Sequence, residues 1–115
     1  MDISFKNKKV AKSFNEGAQL ERIHGALRAK KIRNRMKALR AAKTLKDFWP
    51  PKTGPERCHE LTEGQRSGQL SMDLDHPYRL IFIPDHDPLP TLKDGGLDWS
   101  QVTAVIILGV EDTHG

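Results

Sequence analysis

His59, Arg66, Arg79 and the closing run Glu111-Asp112-Thr113-His114 give the second half of this chain the means to hold a phosphate and move protons beside it. Metal-free cleavage of RNA at a 2′-hydroxyl needs that hydroxyl deprotonated, charge on phosphorus stabilised, and the 5′-oxygen protonated as it leaves. Histidine suits both proton transfers because its unperturbed pKa, about 6.5, lies near working pH. Arginine suits the phosphate as a planar, permanently charged, bidentate donor. His59 and His114 are therefore the acid/base candidates, with neither role tied to one of them, and Arg66 and Arg79 the candidate phosphate ligands; this chemistry calls for no metal and no cofactor. A rival grouping, His76, Asp85, His86 and Asp87, combines imidazoles with carboxylates as zinc sites do. Its spacing matches no standard metal site, and Pro77, Pro84 and Pro88 make that region read as turns. Structural roles compete for each residue: Arg79 suits an ion pair with Asp73 or Asp75 across a hairpin, and Arg66 suits a solvated turn.

Charge supplies a second surface. Residues 1–46 carry 14 Lys/Arg against 3 Asp/Glu, a balance of +11, whereas residues 47–115 carry 5 against 12, a balance of −7. A helical stretch bearing Arg28, Lys30, Lys31, Arg33, Arg35, Lys37, Arg40 and Lys43 suits a polyanion such as RNA, whose affinity comes largely from neutralised phosphates. A solvated face and an acidic protein partner are the other readings of the same run. At 115 residues, with 37% hydrophobic and 30% charged, the chain fits one domain over residues 1–115 with a modest core. A single cysteine, Cys58, rules out an intramolecular disulfide, and no apolar run approaches the roughly 20 residues of a membrane helix. Met1-Asp2-Ile3-Ser4-Phe5 has no basic-then-apolar leader, so a cytoplasmic location is expected.

The elements that must position these groups change period near residue 50. Ile3 and Phe5 alternate as in a short strand, and Asn7 is an N-cap for a helix with Val10 and Phe14 on one face, ended by Gly17. Leu20, Ile23 and Leu27, then Ile32, Met36, Leu39, Ala42 and Leu45, recur mostly at steps of three or four from Ala18 to Lys46. The five-residue step from Leu27 to Ile32, close to Gly25, predicts a bend or two helices. Trp49-Pro50-Pro51 and Gly54-Pro55 close the helical half. Beyond them, Leu70, Met72 and Leu74 alternate with polar residues as a half-buried strand, Tyr78–Ile83 reads as a central strand, and Val102–Val110 as a third. Between the last two, Pro84–Ser100, with three prolines, two glycines and four aspartates, predicts a long loop.

His59-Glu60-Leu61, Gly64-Gln65-Arg66-Ser67-Gly68, Ser71, Tyr78-Arg79-Leu80-Ile81-Phe82 and Glu111-Asp112-Thr113-His114 together resemble the HigB-like branch of the RelE/ParE toxin superfamily. Ile3-Ser4-Phe5, Phe14-Asn15-Glu16-Gly17 and Leu39-Arg40-Ala41-Ala42 extend the resemblance over nearly the whole chain. It implies an α+β, RelE-like fold, with two N-terminal helices packed on a twisted, mainly antiparallel sheet. It implies a toxin that cuts messenger RNA on the ribosome and is neutralised by a HigA-like helix-turn-helix antitoxin. It also assigns His59 as a catalytic histidine, Arg79 as the phosphate-stabilising arginine, Asp112 and His114 as members of a C-terminal Asp-Tyr-His triplet, and Arg66 as a basic residue of the glycine turn. Asp112 would orient a histidine. Thr113 departs from the pattern, since many relatives carry tyrosine there; a base would then stack elsewhere, on Tyr78 or Trp99.

Two function classes follow: a ribosome-dependent endoribonuclease, or a ParE-type or catalytically impaired toxin that acts by protein contact. A DNA-binding module fits less well, because the basic helix has no recognisable turn and recognition-helix pair. Nothing in the sequence fixes an oligomeric state.

Overall fold

The computed structural model describes residues 1–62 and 64–112. Asn7 caps the first helix through its side chain, whose Oδ1 accepts from the Val10 amide at 2.9 Å. In α1 (Lys8–Asn15), Val10 and Phe14 turn toward the core, and Phe14 meets Phe5 of β1 (Asp2–Phe5) with ring centroids 5.6 Å apart. Glu16 is extended and belongs to two helix ends at once: its amide donates to Lys12 and its carbonyl accepts from Gln19. Gly17, expected to end a helix, therefore opens α2 (Gly17–His24). Gly25, at φ +82, separates α2 from α3 (Ala26–Ala41). That backbone is inexpensive for glycine alone, and it explains the broken apolar stripe. Among the described residues three α-helices stand where the resemblance implies two.

Strong helix formers fill α3, and Ala29, Ile32, Met36 and Leu39, three or four apart, bury one stripe almost completely. At its C-terminal end the Met1 amino group donates to the carbonyls of Leu39 and Arg40, each at 3.2 Å, and to that of Ala42. A cation there suits the negative end of the helix dipole.

The sheet is five-stranded and mixed, in the order β1-β5-β4-β3-β2. Its strands are β2 (His59–Leu61), β3 (Gln69–Asp73), β4 (Tyr78–Pro84) and β5 (Ala104–Asp112) besides β1. Only β1 and β5 run parallel; the other neighbouring pairs are antiparallel. Leu70, Met72, Leu80, Phe82, Val105 and Ile107 face the helices and join Leu20, Ile32, Met36 and Leu39 in one core. The Pro84–Ser100 segment, expected as loop, is tied down locally: Thr91 bridges Leu97, and Leu92 donates to Gly96 at 2.7 Å. Trp99 anchors its end at 3% exposure, edge-on to Trp49 at 5.1 Å.

One irregularity decides what the far face of the sheet carries. Ile81 pairs with Gly109 but Phe82 pairs with Ile107, so Leu108 is an extra residue in β5. In an unbroken strand residue 111 would share the helix-facing side of Ile107. The bulge shifts the phase, so Val110 packs on the core opposite Leu80 and Glu111 lies beside Arg79 on the open face.

Candidate active-site cleft

Cross-strand register builds the open face in rows. His59 lies opposite Ser71, and Ser71 opposite Ile81; Asp73 lies opposite Arg79, and Arg79 opposite Glu111. Directly opposed residues point to the same side of a sheet, so the imidazole and the Arg79 guanidinium share a surface with Glu111. The loop joining β2 to β3 brings Arg66 to it on a short 3₁₀ turn, Gly64–Arg66. These side chains, with Lys52, Gln65 and Gln69, line an open cleft of about 800 Å³.

His59 is half-buried, and its Nδ1 lies 2.8 Å from the Arg57 carbonyl oxygen. A carbonyl only accepts, so Nδ1 carries a proton, and whenever the ring holds one proton its lone pair is on Nε2. That is the tautomer of a general base.

Arg79 uses its Nε toward Asp73 Oδ1, 3.4 Å away, in an ion pair without hydrogen-bond geometry. Asp73 is also paired through Oδ2 with Arg57 Nε at 3.2 Å. Of the two carboxylates suggested for Arg79 by the sequence, Asp75 belongs instead to Arg28, with contacts of 2.9, 3.0 and 3.2 Å. That guanidinium, more than any other group, holds the Asp75 carboxyl below its ordinary range. Arg66 forms a two-pronged bond with Glu111, Nη2 to Oε1 at 3.0 Å and Nη1 to Oε2 at 3.1 Å. This bond raises the Arg66 pKa above its ordinary value. With side chains 35% and 45% exposed, the pair contributes about 1 kcal/mol at most.

Of the residues singled out in the sequence, His59, Arg66 and Arg79 come together in this cleft. Asp112 does not line it: it pairs with Tyr78 and, one residue past Glu111, projects from the helix-covered side of the sheet. Thr113 and His114 lie outside the described residues. On the basic helix, Lys30, Lys37 and Arg40 are exposed, and Lys31 is half-exposed. Arg33 reaches the Gly17 carbonyl at 2.9 Å and Glu21 at 3.4 Å. Arg28 lies over the Tyr78 ring, 3.5 Å from its centroid, as well as on Asp75.

Arg35 departs from the expectation of an RNA contact. It is only 8% exposed, and it donates to the carbonyls of Asp73 at 2.7 Å and Pro55 at 3.1 Å. An arginine turned inward to a carbonyl at the end of β3 and one in the proline-rich loop fastens α3 to the sheet and is not presented to a phosphate. The stacking surfaces suggested for a base are also committed, Tyr78 under Arg28 and Trp99 in the core, where its Nε1 donates to Glu60 at 3.2 Å.

Besides His59, Arg66 and Arg79, the lining includes the polar side chains of Lys52, Glu60, Gln65, Gln69 and Glu111, to none of which the sequence assigned a site role. Lys52 and Arg57 both have left-handed backbones, φ +63 and +46, in the short proline-rich loop before β2. Such conformations cost on the order of 1 kcal/mol each, and hydrogen bonds within the loop, Lys52 N to Cys58 O and Arg57 N to Thr53 O, hold them. Gln69 Oε1, Ser71 Oγ and Asp73 Oδ1 form a buried polar stripe along β3 with no hydrogen bonds among the described residues. Among the described residues no three His, Cys, Asp or Glu cluster as metal ligands, and His86 Nε2 accepts from the Thr103 amide at 3.1 Å. No described helix is long and apolar enough to cross a membrane. Compared with models of the known protein families the chain matches none, and no curated protein matches it.

Proposed function

We propose that this protein is a HigB-like toxin of the RelE/ParE superfamily, with a RelE-like fold, acting in the cytoplasm as a ribosome-dependent endoribonuclease and neutralised by a HigA-like helix-turn-helix antitoxin. The observation that carries the reading is the placing of His59, whose Nδ1 donates to the Arg57 carbonyl and leaves Nε2 turned away from that bond, together with the Arg79 guanidinium in one open cleft. In this reading His59 takes the 2′-hydroxyl proton, and Arg79 stabilises the charge that develops on phosphorus. With His59 as base, His114, the other acid/base candidate, would protonate the 5′-oxygen, and the exposed cations of α3 grip ribosomal RNA.

A second reading, a ParE-type or impaired toxin acting through protein contact, is favoured by two features. Arg66 is already occupied by Glu111, and Thr113 replaces the usual tyrosine.

Expression of the chain is expected to arrest growth, with primer extension revealing cut messages and co-expression of the antitoxin restoring growth. Arrest with intact messages would favour the contact toxin. His59→Ala and Arg79→Ala are each expected to abolish arrest while leaving the fold, since Asp73 keeps Arg57 as a partner. Full toxicity in both variants would remove these residues from the mechanism.

A further inference from the structure

The geometry points to Glu111 as a built-in occupant of the phosphate fork of Arg66, a specificity-determining residue that weakens the binding of single anions and favours a substrate reaching both Arg66 and Arg79. This rests on reading the cleft as a phosphodiester site. Arg66 sits in the loop between β2 and β3, whereas Glu111 is on β5, with β3 and β4 between them in the sheet. Their bond therefore spans the open face across the cleft. Two carboxylate oxygens meet two guanidinium nitrogens at 3.0 and 3.1 Å. A phosphodiester offers its two non-bridging oxygens to the same fork.

The β5 bulge turns Glu111 onto this face and, by register, places it beside Arg79. A single weak anion at Arg66 must compete with a carboxylate already in place. A nucleic-acid backbone engages Arg66 and Arg79 together and so offsets the loss of the Glu111 contact. Both partners are partly exposed, so the exchange needs no opening of the core.

Titration with inorganic phosphate, followed through the Arg66 side-chain Nε–H signal by NMR, tests this. Glu111→Gln is expected to bind phosphate about fivefold more tightly than the wild type, the factor that corresponds to an exposed pair of this kind. The gain is expected to vanish in an Arg66→Ala background, read there by calorimetry, which separates a vacated fork from a general change of charge. Glu111→Asp, too short to keep both contacts, should move the same way and serves if the glutamine variant folds poorly. Equal or weaker phosphate binding by both variants, a gain that survives loss of Arg66, or no phosphate binding by any of these proteins would overturn the proposal. Phosphate binding needs neither ribosome nor message, so intact messages in expressing cells would sink the nuclease reading without touching this result.

Discussion

Cys58 and His59 are sequence neighbours with opposite fates, because adjacent side chains at a strand point to opposite sides. Cys58 is fully buried, and desolvation, reinforced by Glu56 and Glu60, pushes its thiol up to about 12. Thiolate is the reactive form, so native protein should resist an aromatic disulfide reagent and react only as it unfolds. Rapid labelling of the folded protein at neutral pH would contradict this environment. His59, Arg66 and Arg79 were singled out by residue type and spacing together with the family resemblance, and the three line one cleft. The inward turn of Arg35 was not legible: in a run of cations, nothing local distinguishes the one whose partners are carbonyls far along the chain, at the end of β3 and in the proline-rich loop. The exchange of Asp112 for Glu111 as a cleft residue was equally hidden, since it depends on strand phase rather than on chemistry.

Strand phase belongs to the element scale. Period-two alternation revealed β3, and apolar runs revealed β4 and β5, while Asn7 and Gly25 marked helix boundaries through capping and backbone chemistry. The three-residue β2 is too short to carry a period, and the Thr91–Leu97 bridge arises from one pairing inside a segment rich in turn formers. For the bulge, the one sequence signal was a glycine within a Val/Ile/Leu run. Gly109 sits at φ +145 with open space where a Cβ would be, so the cost of substitution there is conformational, not steric. Gly109→Ala is expected to lower unfolding free energy by about 1 kcal/mol in denaturant titration, and to weaken the Arg66–Glu111 bond in the arginine NMR spectrum. Unchanged stability together with an unchanged Arg66 signal would show that the bulge tolerates a side chain and does not set the phase of Glu111.

At the scale of the molecule, the charge split seen in sequence becomes a division of surfaces. Basic helices cover one side of the sheet, and the mixed-charge cleft occupies the other. If α3 grips RNA phosphates, Lys30, Lys37 and Arg40 carry that contact through exposed side chains. Replacing all three by alanine should reduce the slope of log affinity against log salt by about two, at roughly 0.7 for each phosphate contact to single-stranded RNA. An unchanged slope would remove α3 from the interface. Arg35→Ala, in contrast, should lower stability because it leaves two part-buried carbonyls without this donor. The packing of Trp99 has a different consequence. The chain has two tryptophans, and they form a single edge-on pair, with Trp99 hydrogen-bonded to Glu60 on the rim of the cleft. Its ultraviolet fluorescence therefore originates beside the site, so the molecule carries an intrinsic optical reporter of whatever enters there.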